Sequence, residues 1–168
     1  MAYRNKTYVA FDGDNDIKYY NLMKAWKQND NTSFNFLDAH ELNNISDTNA
    51  EVTIKKKLKE KLENSKVFVL LVGEHTKFLY KYVRWEIEKA LELDLPIIVV
   101  NLNGKRMLDA NLCPAILKDK LAIHISFNTK ILQFALEDWT NTYKNYSTPD
   151  KISGYYYKDK VYADLGLN

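Results

Sequence analysis

Val67–Val100 reads VFVLLVGEHTKFLYKYVRWEIEKALELDLPIIVV. Its opening run, Val67–Val72, is apolar at every position, β-branched at half of them, and bounded by Ser65 and Gly73. That pattern predicts a strand buried on both faces. Pro96–Leu102 repeats it. The segment between has helical spacing. With Ile87 at zero and about 100° per residue, Val83, Ala90 and Leu91 fall within about 60° and form an apolar stripe. Glu88 and Glu92 point well away from it. Glu86 sits at the edge of the stripe, on the flank shared with Leu79, Tyr82 and Leu93. A helix thus runs straight into a buried strand, and the whole stretch reads as strand–helix–strand.

Outward from this unit the alternation continues. TYVAF (Thr7–Phe11), FNFLD (Phe34–Asp38) and LAIHIS (Leu121–Ser126) read as further strands. Helices are expected over Ile17–Gln28, from about Thr48 to Asn64, and over Lys130–Tyr143. Asn15 or Asp16 can cap the first of these, and Asp47 or Thr48 the second. Strands apolar on both faces and separated by helices imply a parallel sheet covered on both sides. Right-handed crossovers favour a flavodoxin-like α/β fold, with five parallel strands in the order 2-1-3-4-5 and helices on both faces. The expected division is an α/β domain over residues 1–145 and a tyrosine-rich extension over 146–168. The extension is packed on that domain or appended to it as a docking arm.

Composition narrows the function classes. The chain has 168 residues, 46% hydrophobic and 27% charged, as in an ordinary one-domain globular protein. A net charge of +2, mixed along the chain, makes no general case for nucleic acid. The basic run Lys55–Lys57 lies within the second helix, beside Glu60 and Glu63, and reads as a solvated face. The single cysteine, Cys113, precludes an intrachain disulfide and a multi-cysteine metal site, and reads as a buried thiol. MAYRNKTYVAF is not a signal peptide, and VFVLLV is too short to span a bilayer. The expected location is the cytoplasm, away from membranes.

In an open parallel sheet, ligands bind beyond the carboxyl ends of the strands, where strand order reverses. That point lies between the first and third strands, where DGDND (Asp12–Asp16) and GEHT (Gly73–Thr76) meet. Glu86 is near it, Asp12, Asp14 and Asp16 line its other side, and Asp38 is a neighbour. DGDND is readable as turn and capping chemistry alone. It lacks the glycine and distal glutamate of an EF-hand loop. A phosphoryl-transfer site fits only in part, because the third strand ends Val72-Gly73-Glu74 without an aspartate. His40, His75 and His124 stand at unrelated spacings. The five glycines form neither G-x-G-x-x-G nor a P-loop, which argues against a hydride-transferring dinucleotide fold. Glu86 is readable as a boundary glutamate paired with Lys81 or Lys89. It is also readable as a half-desolvated carboxylate beside an aromatic wall, able to stabilise a developing cation.

YVAFDGDND, FVLLVGEHT and YVRWEIEKALEL, in this order on these elements, resemble the TIR-like flavodoxin-fold family of prokaryotic proteins. That family includes the TIR subunit of the Thoeris antiphage system, and the resemblance covers roughly Thr7 to Asn103. It implies cleavage of the nicotinamide–ribose bond of NAD, the activity of an NAD nucleosidase or ADP-ribosyl cyclase. The product would be a cyclic or modified ADP-ribose, a diffusible signal to a downstream effector. It implies Glu86 as the catalytic residue, four positions beyond the aromatic Tyr82, with Trp85 beside it. Phe11, Asp12, Gly13, Asp14 and Asp38 would line the nucleotide site together with Tyr82 and Trp85. Backbone N–H groups near Gly13 would contribute, and Phe11, Tyr82 or Trp85 would stack on a ring. NAD is the substrate, and neither cofactor nor metal is required, since the nicotinamide ring is already cationic while attached and departs as a neutral molecule. The family also implies homotypic self-association. Many relatives have Ser where this chain has Ala10, and Trp where it has Tyr82. Two alternatives stand beside the enzyme: a TIR-like interaction module without turnover, and a glycosidase of the nucleoside deoxyribosyltransferase kind.

Overall fold

The computed structural model of the chain describes residues 6–28, 35–37, 50–146 and 153–168. Its sheet is parallel and follows the order β2-β1-β3-β4-β5-β6. The strands are β1 (Lys6–Ala10), β2 (Asn35–Leu37), β3 (Val67–Val72), β4 (Ile97–Asn101), β5 (Ile123–Ser126) and β6 (Tyr155–Tyr156). The first five follow the order read from the sequence, and the tail adds a sixth beyond the five expected. The helices are α1 (Ile17–Gln28), α2 (Ala50–Glu63), α3 (Val83–Glu92), α4 (Thr129–Thr142) and α5 (Asp159–Asp164). The caps expected at Asp47 or Thr48 lie outside the described residues.

β3 is buried at all six positions. Alternation sorts its side chains: Val67, Val69 and Leu71 join one core, and Phe68, Leu70 and Val72 the other. The first core lies under α1 and α4, with Met23, Leu132, Leu136 and Trp139. The second lies under α2 and α3, with Leu58, Leu62, Val83, Ile87 and Ala90. Helices therefore cover both faces. β1 is interior, pairing with β2 through Thr7↔Phe36 and with β3 through Val9↔Val69. The reversal of strand order accordingly falls at β1 and β3, where the crevice was expected.

The tail is part of the same sheet. β6 pairs with β5 through Ile123↔Tyr155 and His124↔Tyr156. Tyr162 of α5 is fully buried in the α1–α4 core, and the Ser126 backbone N–H donates to its hydroxyl at 3.3 Å. The Arg106 guanidinium covers the Tyr162 ring at 4.1 Å. Tyr157 donates to the Asp138 carboxylate at 2.9 Å, tying the tail to α4.

Candidate functional site

The β1–α1 loop is organised by Asp12. Its Oδ1 accepts from the backbone N–H groups of Asp14 (3.0 Å) and Asn15 (3.2 Å), and its Oδ2 from the Asn15 side chain (2.7 Å). These are Asx-turn contacts. They occupy two of the amides near Gly13 that the sequence reading offered to a nucleotide. Asp16 sits where the chain enters α1, buried, with Oδ2 lacking a partner among the described residues. Burial, reinforced by the negative charge of Asp12, pushes its carboxyl up.

Between β3 and α3 the chain makes a short 3-10 turn at Thr76–Phe78 before entering the helix at Tyr82. Thr76 anchors this turn, its hydroxyl accepting from the Gly73 backbone N–H at 2.9 Å. Phe78 and Tyr80 project from the segment, 57% and 65% exposed.

A cleft of about 580 Å³ opens between these two loops. Its floor is the end of β1, Val9 to Phe11, continued by Asp12, Gly13 and Asp14. α2 contributes Ile54 and Leu58, and the far wall is Phe78–Val83 with Glu86. Such a volume accommodates a nucleotide-sized ligand.

Glu86 is 6% exposed, buried rather than half-desolvated at a boundary. The lysines that could have neutralised it are engaged elsewhere. Lys81 pairs with Glu51 at 3.6 Å, and Lys89 with Glu92 at 3.0 Å. Its partner is Tyr8 of β1, whose hydroxyl donates to Oε2. Burial pushes the Glu86 carboxyl up to about 7, against the Tyr8 hydrogen bond, which pulls it down. Tyr8 is itself pushed up, by burial first and then by the Glu86 charge. A carboxyl that titrates near pH 7 in a cleft, without a cationic partner among the described residues, can act as an acid–base group or as an electrostatic stabiliser of positive charge.

The remaining sequence-derived residues divide. Tyr82 lines the cleft, with the Lys81 ammonium 5.4 Å from its ring centroid. Asp14 is exposed at the rim. Phe11 lines the cleft, but its ring is stacked on Tyr20 at 4.6 Å and belongs to the α1–α4 core. Trp85 does not line the cleft. It packs in the α2–α3 core, and the ammonium groups of Lys55 and Lys89 lie 5.7 and 6.0 Å from its ring centroid. Successive residues of a helix point about 100° apart, so Trp85 turns to α2 while Glu86 turns to β1 and the cleft. Asp38 and His40 lie outside the described residues.

Tyr8 was missed. Within TYVAF it reads as one more apolar strand position, and only the fold shows it facing Glu86, 78 residues away in sequence. Cys113 is buried, and burial pushes its thiol up to about 11, which makes it a poor nucleophile. Among the described residues, no group of three or more His, Cys, Asp or Glu is placed to hold a metal ion. Nor is any described helix long and apolar enough to cross a membrane.

The family model described as "Thoeris protein ThsB, TIR-like domain" matches residues 8–107, more than half of the 168. The matched stretch runs from β1 through β4 and contains both Tyr8 and Glu86.

Proposed function

We propose a reaction from one premise: this chain belongs to the TIR-like domain family of the Thoeris protein ThsB, a family of antiphage defence. The reaction is cleavage of the glycosidic bond between nicotinamide and ribose in NAD. The bond from C1′ to the pyridinium nitrogen breaks, and its electron pair leaves with nicotinamide, neutralising that ring. Positive charge then develops on C1′ and the ring oxygen of the ribose. The Glu86 carboxylate offsets that charge and accepts hydrogen bonds from the ribose hydroxyls. Capture by water yields ADP-ribose, and capture by an atom of the same molecule yields a cyclic product that can signal to an effector. Tyr82 offers a ring on which a base can stack.

A single observation carries this reading. Glu86 is a buried carboxyl lining the cleft, with no cation among the described residues to neutralise it. An uncompensated buried acid is costly to folding, and such cost is ordinarily retained at functional sites.

The test is incubation with NAD, with separation of nicotinamide from the ADP-ribose products, in extracts of phage-challenged cells as well as with purified protein. Nicotinamide release is expected, and Glu86→Gln should reduce it by roughly 10²–10³-fold, the scale of losing one electrostatic stabiliser. Cleavage of a free nucleoside in place of NAD would instead mark a nucleoside glycosidase. No turnover of either, under both conditions, would leave an interaction module. The exposed rings of Phe78 and Tyr80 favour that module's contact surface, with a second TIR-like domain as partner. Tyr80→Ser would then lower the oligomeric state measured by light scattering.

A further inference from the structure

Tyr8 reaches Glu86 from the sheet. It lies on β1, which is paired on both sides, and its side chain is fully buried. Its ring stacks on Phe68 of β3 with centroids 5.7 Å apart and planes 15° from parallel. Strand pairing, burial and this stack fix where the hydroxyl points. Among the described residues, Oε2 is the only Glu86 carboxylate oxygen that takes a hydrogen bond, and it takes it from Tyr8.

We propose that Tyr8 is the positioning residue of the site: its hydroxyl pins Oε2 of Glu86 from the sheet side and leaves Oε1 as the oxygen presented to the cleft. The assignment rests on Glu86 being the reactive carboxylate of the proposed NAD cleavage. A glutamate has three side-chain torsions, and a donor on a paired strand removes the freedom of the last of them. The carboxylate is then already oriented before substrate arrives, so less ordering is required in the transition state.

The hydroxyl also sets the charge state. A donor favours the ionised form of its acceptor, and here it opposes the effect of burial. The other described groups around Glu86 contribute little countervailing charge. From the β1–α1 loop the cleft receives Asp12, committed to its own turn, and the exposed Asp14. From the entry to α3 it receives Tyr80, Tyr82 and Lys81, the last paired with Glu51. α2 presents Ile54 and Leu58, and β1 presents Val9 and Ala10. Among the described residues, Tyr8 is thus the strongest local influence favouring the carboxylate.

The test uses Tyr8→Phe, which keeps the ring, the stack on Phe68 and the burial while removing the donor. The side-chain carboxyl carbon of Glu86, labelled with ¹³C and assigned by its loss in Glu86→Gln, is titrated by NMR. Its midpoint should rise by roughly one to two pH units, the scale of one hydrogen bond to a charged group. A one-unit rise would lower the ionised fraction at pH 7 about fivefold. In NAD cleavage, the limb that rises with pH should move by the same amount. The loss at neutral pH should fall on kcat more than on KM and recover at higher pH. An unchanged Glu86 midpoint overturns the assignment, whatever the activity. A shifted midpoint without NAD cleavage in either protein supports the coupling and removes the reaction. Should Tyr8→Phe fail to fold, the ζ-carbon of Tyr8 in the unmodified chain gives the same answer. It should titrate with the Glu86 midpoint and lose that titration in Glu86→Gln, and a flat Tyr8 signal overturns the assignment.

Discussion

The carboxyl of Asp16 occupies the space that a side chain on Gly73 would need. A Cβ built on Gly73 would stand 2.3 Å from Asp16 Oδ2 and 2.8 Å from its carboxyl carbon. The constraint is one of room, since Gly73 is not among the glycines of positive φ. It draws the β1–α1 loop against the end of β3, the two sides of the strand-order reversal. Gly73→Ala should therefore destabilise the protein by about 1–3 kcal/mol, the usual cost of forcing atoms into a filled space. Asp16→Ala opens that space, so the double variant should lose less than the sum of the singles, by about 0.5–3 kcal/mol in chemical denaturation.

Glu86 should make stability fall as pH rises. Its carboxyl titrates at about 7 in the folded chain against 4.5 as the ordinary value, so between those pH values the folded state holds more protons than the unfolded one. Stability from this group is therefore fully present below about pH 4.5 and lost as pH climbs through about 7. Glu86→Gln should gain on the parent protein across that window, reaching about 3 kcal/mol at pH 8. The controls Glu88→Gln and Glu92→Gln, on surface pairs with Arg84 and Lys89, should stay within about ±0.5 kcal/mol at every pH. Urea midpoints at pH 4.5, 6 and 8 decide the matter, and a flat difference for Glu86→Gln would mean that its carboxyl is not desolvated.

His124 should act in the opposite sense. It is fully buried on β5, and neither ring nitrogen has a partner among the described residues. Burial holds it down to about 4 from an ordinary 6.5. The unfolded chain therefore takes up the proton first, and stability falls as pH drops from about 6.5 towards 4. His124→Leu should abolish this loss, worth about 3 kcal/mol at pH 4. The windows of His124 and Glu86 overlap with opposite slopes, so the parent protein should show a shallow profile between pH 4.5 and 6.5. Each single variant should then reveal the slope of the other group.

Tyr162 should be required for folding. Truncating a fully buried aromatic costs about 3–5 kcal/mol, so Tyr162→Ala should unfold at markedly lower denaturant. Tyr162→Phe loses only the hydroxyl that accepts from Ser126 and should cost about 0.5–1.5 kcal/mol.

Runs apolar on both faces could be read directly from the chain. Val67–Val72 has one environment whichever way it turns, so its burial needs no tertiary information. The sheet order followed from crossover handedness. What the sequence could not supply was the direction of single side chains. On the helical wheel Glu86 lies at the edge of a stripe, because the wheel knows one helix and not the strand beneath it. The depth of Glu86 is set by Tyr8 and the cleft. Trp85, its immediate neighbour, looked equally suited to the site and turned towards α2. β6 was invisible because two paired residues carry no periodicity, and consecutive tyrosines suit a strand, a docking arm or a loop alike.

The two-residue length of β6 has a bearing on aggregation. A strand at the margin of a sheet exposes a ladder of free amides and carbonyls to which another chain can add. Here the tail takes up that ladder along β5 at Ile123 and His124, and then leaves it for α5. An incoming strand meets a template of only Tyr155 and Tyr156, too short to hold it in register. Growth of fibrils by strand addition at β6 is thereby discouraged.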